Sequence, residues 1–213
     1  FLVVVAALFL LISLYFAYAR YLFSPQGGNI QNRIRGVVLS NLEWNGAGQI
    51  LDIGCGSGEL TIELAKKNKE AQVVGIDNWG KQWEYSKKIC EMNSEIEGVA
   101  KQVSFQKADA TALPFDDESM DVVVSNLVFH EVGGVRDKKE LIREALRVVK
   151  KGGKFVLQDL FLWKQIYGDP DELIETIRSW GIRELKLINT SNFAYIPAIL
   201  KLPFMVGTIG VIT

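Results

Sequence analysis

The chain has 213 residues, 48% of them hydrophobic and 23% charged, which is room for one well-buried domain and an appendage. A formal net charge of −1 without a basic tract argues against nucleic acid as a general partner. The two cysteines, Cys55 and Cys90, have neither metal-site nor disulfide-framework spacing; no metal is expected, and the usage suits a reducing compartment.

Residues 1–19 carry no charge. As a helix rising about 1.5 Å per residue they would cover roughly 28 Å, close to a bilayer core of about 30 Å. Tyr15, Tyr18 and Tyr21 cluster at the far end, and Arg20, Arg33 and Arg35 follow. Interfacial aromatics and basic residues on that side predict a membrane-anchoring helix over 1–22, alone or as one of several spans, with the domain on the cytoplasmic face. Ala17-Tyr18-Ala19 resembles a signal-peptide cleavage site, but the apolar run exceeds an h-region of about 7–15 residues. The chain opens on Phe1 rather than Met, so residues upstream are expected.

Ser24-Pro25-Gln26-Gly27-Gly28 reads as a flexible linker over 23–28, followed by a domain over 29–213. Asn29 is expected to cap a helix with apolar positions Ile30, Ile34, Val37, Val38 and Leu42. Strands are then predicted over 49–53, 72–77, 103–108, 120–126 and 154–160, with helices beginning near Glu59, Lys81, Asp137 and Pro170. This alternation is that of an α/β, doubly wound, mostly parallel sheet. Lys66-Lys67 and Lys150-Lys151 read as solvated helix ends, and Gly152-Gly153 as a helix stop. Two more strands fall in 184–189 and 208–213. Between them lies an apolar insert, 193–205, including Ile199 and Leu202, which reads equally as substrate-pocket wall or membrane contact and as core packing.

The densest signal is Ile50-Leu51-Asp52-Ile53-Gly54-Cys55-Gly56-Ser57-Gly58, a buried strand ending in an acid and running into three alternate glycines. Such a loop lets a ligand approach the main chain, with free N–H groups of the following helix nearby. A dinucleotide fingerprint spaces its glycines as Gly-x-Gly-x-x-Gly; here Glu59 stands where the third would fall. In a doubly wound sheet the ligand crosses the carboxyl ends of the strands. Polar residues end the others as well: Asp77 after the second, Asp109 after the third, Ser125 and Asn126 on the fourth.

The glycine pattern with Asp52 resembles motif I of class I S-adenosylmethionine-dependent methyltransferases. The resemblance covers roughly 29–213 and is nearest the small-molecule branch of ubiquinone and menaquinone biosynthesis. It also rests on Gly75-Ile76-Asp77, Ala108-Asp109-Ala110 with Leu113-Pro114-Phe115, and Arg147-Val148-Val149-Lys150-Lys151-Gly152-Gly153. It implies a Rossmann-like sheet whose last strand is reversed and S-adenosylmethionine as cofactor. Asp52, Gly54, Cys55, Gly56 and Gly58 would surround its methionine portion, Asp77 would hold the ribose, and Asp109 and Ala110 the adenine, flanked by Asn78 and Trp79. Ser125 and Asn126 would stand beside the sulfonium.

The apolar N-terminal helix and the apolar insert at 193–205 together suggest a small, apolar or membrane-partitioning acceptor such as a quinone or lipid-like intermediate. His130, the single histidine, is the candidate general base; its competing role is to brace the loop after the fourth strand. Asp159, Tyr167 and Asp169 are poorer candidates. Two other classes stay open at this point: a nucleotide-cofactor oxidoreductase, which Glu59 argues against, and a membrane-tethered S-adenosylmethionine-binding module without catalysis.

Overall fold

The structure, a computed structural model, describes all residues except 45, 81–85, 183, 191–195 and 202–205. In chain order the elements are α1 (Leu2–Phe23), α2 (Ile30–Asn41), β1 (Gln49–Ile53), α3 (Glu59–Lys67), β2 (Gln72–Asp77), α4 (Lys87–Ile96), β3 (Val103–Lys107) and β4 (Met120–Asn126). There follow α5 (Lys139–Arg147), β5 (Val149–Asp159), α6 (Lys164–Tyr167), α7 (Pro170–Ser179), β6 (Leu187–Asn189), α8 (Ala198–Lys201) and β7 (Gly210–Ile212).

Consecutive buried residues such as Val122, Val123 and Val124 mark strands covered on both faces, as a parallel sheet between helical layers requires. The seven strands run in the order β3-β2-β1-β4-β5-β7-β6. β1 to β5 are mutually parallel, and β7 lies antiparallel to both β5 and β6. Chain order reverses between β1 and β4, which opens a crevice at their carboxyl ends.

Several boundaries differ from the sequence reading for identifiable reasons. The helix expected near Lys81 begins at Lys87, because Ser86 supplies the cap: its Oγ accepts from the Ile89 amide at 3.3 Å. Asn29 stands at the start of α2 but takes a left-handed φ of 51° and makes no side-chain capping bond. Asp169 caps α7 through the Asp171 amide at 3.0 Å. Residues 149–153 belong to a strand, not to a helix end. Lys150 pairs with Asp121 at 2.8 Å and Lys151 with Glu118 at 3.2 Å. Met120 is in register with Val149 but Val122 with Lys154, so the residues between bulge out, with Gly152 at φ 78°.

α1 is the one helix among the described residues long and apolar enough to cross a membrane, with a mean hydropathy of 2.5. Ala19 alone in it is buried. Its last turns are nevertheless built into the domain. Tyr15, Leu22 and Phe23 pack against a core cluster that contains Ala19, Ile30, Ile34, Leu160, Ile196 and Leu200. The turn below it is closed by the amides of Gly27 and Asn29 on the Ser24 carbonyl, each at 3.1 Å. A Cβ at Gly27 would come within 1.9 Å of the Tyr21 carbonyl oxygen, so the chain turns there only because the side chain is missing. Of the apolar insert, Ile196 and Leu200 are core; Leu202 and the rest of 202–205, like 193–195, lie outside the described residues.

Candidate cofactor site

A cavity of about 800 Å³ opens where β1, β2 and β4 end. Its wall brings together Asp52, Gly54, Cys55 and Gly56 from the loop after β1, Asp77 and Asn78 from the end of β2, Asp109 and Ala110 beyond β3, and Asn126 from β4.

The glycine loop is fixed by main-chain bonds. The Gly54 and Cys55 amides both donate to the Ile76 carbonyl, at 2.8 and 2.9 Å, which ties the loop to β2. Gly54 has φ 74°, and a Cβ there would lie 2.2 Å from a Val128 methyl, so the loops after β1 and β4 meet on a surface that admits no side chain. Asp77 accepts from the Gly56 amide through Oδ2 at 2.9 Å and from the Trp79 amide through Oδ1 at 2.8 Å. Asp52 is almost fully buried. Its burial pushes the carboxyl up to about 7, against the 2.6 Å hydrogen bond from Thr61 and with a further push from the Asp77 charge.

Gly58, Trp79, Ser125 and His130, expected at the site, do not line the cavity. Gly58 starts α3 at φ 82°, and its missing Cβ faces Phe105 at 3.0 Å and Cys90 at 3.3 Å, so this glycine serves packing. Trp79 turns its indole N–H onto the Gly56 carbonyl at 2.9 Å, which braces the loop from behind. Ser125 is buried and donates to the Ile53 carbonyl at 3.1 Å, joining β4 to β1. His130 places Nδ1 2.7 Å from Asp159 Oδ1. Burial disfavours its charged form, but the Asp159 hydrogen bond and charge outweigh this and hold its pKa above the ordinary value.

Asp159 is itself fully buried and accepts from the Phe129 and Leu160 amides at 2.7 and 2.6 Å, fastening the turn after β4. Among the titratable residues of this turn it is Glu131 that lines the cavity; its Oε1 lies 3.6 Å from His130 Nε2 and its carboxyl is raised by burial. Tyr167 is buried edge-on against Phe161 at 4.9 Å, outside the wall. The neighbouring Cys90 thiol and burial push the Cys55 thiol well up, so it fills space as a neutral group, while the Cys90 thiol donates to the Gly56 carbonyl at 3.1 Å.

The motif reading missed the roof. Phe23 at the end of α1, Gln31, Ile34 and Arg35 on α2, and Leu127, Val128 and Val132 after β4 complete the wall. Arg35 is its one cation among the described residues; it is nearly buried and paired with Glu59 and, at 3.4 Å, with Glu63. Gln158 joins roof to strand by donating to the Ile34 carbonyl at 2.8 Å and to Asn126 Oδ1 at 2.7 Å. The sequence holds one signal that could have led here, an arginine inside the apolar stripe of the helix directly upstream of the glycine strand; the structure adds Leu127, whose φ of 57° is rare for a bulky side chain.

Fold and site together define a Rossmann-like domain that holds an adenosine-bearing cofactor across its strand ends. Residues 51–157, half of the chain, match the family model described as a methyltransferase domain, and the chain belongs to that family, the class I S-adenosylmethionine-dependent methyltransferases. It is 37% identical over 114 residues to 27-O-demethylrifamycin SV methyltransferase of Amycolatopsis mediterranei, covering 54% of this chain and 39% of that one. To the demethylmenaquinone methyltransferase of Lactobacillus johnsonii it is 32% identical over 128 residues, 58% and 48% of the two chains. The alignments thus span less than half the length of these relatives. Geranyl diphosphate C-methyltransferase of Streptomyces coelicolor A3(2) shares the fold, with a TM-score of 0.64 over 88% of this chain and 79% of that one at 13% identity.

Proposed function

We propose that the chain transfers the methyl group of S-adenosylmethionine to a small apolar acceptor dissolved in a membrane, into which α1 anchors the domain from the cytoplasmic face. The observation that carries this reading is the cavity, in which carboxylates at the ends of three successive strands surround a loop that admits no side chain at Gly54. Asp77 would accept from both ribose hydroxyls, and Asp109, Ala110 and Asn78 would frame the adenine. Asp52, Gly54, Cys55 and Gly56 would flank the methionine portion, and Asn126 would stand by the sulfonium. Glu59, Asp77, Asp109 and Glu131 against Arg35, joined by Asp52 as it ionises near pH 7, give the wall an excess of negative charge that suits a ligand with a sulfonium and an ammonium group.

When bound, the cofactor supplies a methyl carbon already activated by positive sulfur. The residues' task is to align the acceptor and exclude water. A proton released by the acceptor would reach Glu131 first, with His130 and Asp159 behind it. An apolar acceptor is supported by Phe23, Ile34, Leu127, Val128 and Val132 in the wall and by the relative that methylates demethylmenaquinone. Anchoring is supported by the exposed apolar length of α1 and by Tyr18, Arg20 and Tyr21 at its domain end.

Three measurements test the reading. Titration calorimetry on the full chain should show binding of S-adenosylmethionine and none of NAD; the reverse result would overturn it. Incubating lipid and quinone extracts with an isotope-labelled methyl donor should give a mass-shifted product. Labelling confined to water-soluble metabolites would refute the membrane acceptor. The full chain should sediment with membranes and resist carbonate extraction.

A further inference from the structure

The carboxylates and most of the larger apolar side chains of the cavity wall come from different elements. Carboxylates and loop glycines lie at the strand ends, where a water-soluble, charged cofactor would bind. Apart from apolar residues at the strand ends themselves, such as Ile53 and Ile76, the apolar part is supplied by Phe23 at the foot of α1, Ile34 on α2 and the turn after β4. Phe23 is both the last residue of α1 and part of the cavity wall. The 22 residues of α1 rise roughly 33 Å at about 1.5 Å each, slightly more than a bilayer core of about 30 Å. Tyr18 and Tyr21 are half-exposed in its last turns, where interfacial aromatics belong. From Tyr15 onward the helix packs on the domain core, so its last eight steps, roughly 12 Å at about 1.5 Å each, run along the domain and bring the cavity wall at Phe23 to the level of the membrane interface. The closed turn at Ser24 and the packing of Tyr15, Ala19 and Leu22 on the domain core fix that level, where a slack tether would leave it variable.

We propose that Phe23 and Ile34, with Leu127, Val128 and Val132, form an apolar doorway at the membrane interface, through which a bilayer-dissolved acceptor enters the cofactor cavity sideways without crossing water. This rests on the methyltransferase and anchor readings and adds the route and the residues that make it. α1 then acts as part of the acceptor site as well as an anchor. An acceptor with a long apolar tail can leave that tail in the bilayer while its reactive head reaches Asn126, so the doorway selects by head size and tolerates tail length.

The test is photolabelling of the full chain in phosphatidylcholine vesicles with an apolar aryl diazirine dissolved in the bilayer, mapped by peptide mass spectrometry. Glutathione in the aqueous phase scavenges reagent that has left the membrane. The expected result is carbene insertion at Leu127 and Val132 that survives glutathione, together with insertion along α1. Ile96, an exposed apolar residue of α4 away from the cavity, serves as the aqueous control: its labelling should be lost when glutathione is added. Labelling confined to α1, or loss of the Leu127 and Val132 signals with glutathione, overturns the doorway. S-adenosylhomocysteine binding measured on the same vesicles separates the two claims. Binding without doorway labelling removes only the doorway, and absence of binding removes the methyltransferase reading itself.

Discussion

The two halves of the cavity are built by different means. The donor half is local: Asp52 to Gly56, Asp77 and Asn78 are contiguous short segments held by main-chain bonds to β2 and by the Asp77 carboxylate. The roof is assembled from Phe23, Ile34, Arg35 and the turn at 127–133, remote in sequence and joined through Gln158 and Asp159. A site made of main-chain geometry demands particular residues, glycine above all. One made of side-chain packing needs only volume and polarity, which many sequences supply. The donor half should therefore fail sharply on single substitutions and the roof gradually.

The largest expected effect is at Asp77. Its replacement by Ala removes acceptors for two charge-assisted hydrogen bonds to a ribose, worth roughly 1.5–3 kcal/mol each. It also frees the Gly56 and Trp79 amides that Asp77 now holds. Affinity for S-adenosylmethionine should fall by at least about two orders of magnitude, read by calorimetry on protein shown folded by circular dichroism. Unchanged affinity in a folded Asp77→Ala protein would remove the assignment.

Gly54→Ala comes next. A left-handed backbone costs a residue with a Cβ about 1–2 kcal/mol, and displacing Val128 adds roughly 1–3. The melting temperature should drop by about 2–4 °C for each kcal/mol in a domain of this size. Cofactor binding should be lost as well. If Gly54→Ala together with Val128→Ala recovers stability, the contact between the two loops is confirmed as the cause.

These two sites also show what was legible from sequence. The strand ends and glycines could be read because the ligand chemistry needs a carboxylate or a missing Cβ at a fixed step along the chain. The roof could not, since Phe23 and Ile34 look like any membrane-helix end and any core position. Within the motif, Gly58, Trp79 and Ser125 were legible as important but not as supports, because periodicity does not say on which side of the loop a residue turns. The strand at 149–153 was hidden by Lys150 and Lys151, whose partners Asp121 and Glu118 are distant in sequence.

Asp52 gives a smaller effect with a definite pH window. Its carboxyl is raised to about 7 by burial, so between its ordinary pKa and 7 the folded state binds a proton that the unfolded state releases. Stability from this group is therefore greatest at low pH and declines as pH rises toward 7, by at most about 1.4 kcal/mol per unit. Asp52→Asn should flatten that slope and gain on the parent most at pH 8, while weakening the binding of a cationic cofactor there. Melting curves from pH 4 to 8 check the first part. A slope unaltered in Asp52→Asn would place the titration elsewhere.

The smallest effect belongs to the roof and falls in a different window. The hydrogen bond from His130 Nδ1 to buried Asp159 raises the imidazole pKa in the folded state despite the opposing effect of burial. A group raised on folding contributes stability that is fully present below its unfolded pKa and is lost as pH rises through the folded one. For His130 this loss begins above about 6.5, where the fall due to Asp52 is ending. Glu131 and Lys138 also face the imidazole; the carboxylate favours its charge and the ammonium opposes it. His130→Gln should abolish the decline above that point and leave the Asp52 slope intact. Because Asp159 also accepts from the Phe129 and Leu160 amides, the turn should stay in place and S-adenosylmethionine affinity should change little. A decline that persists in His130→Gln would place that titration on a group other than this imidazole, and the bond from His130 Nδ1 to Asp159 would then brace the turn without contributing to its pH dependence.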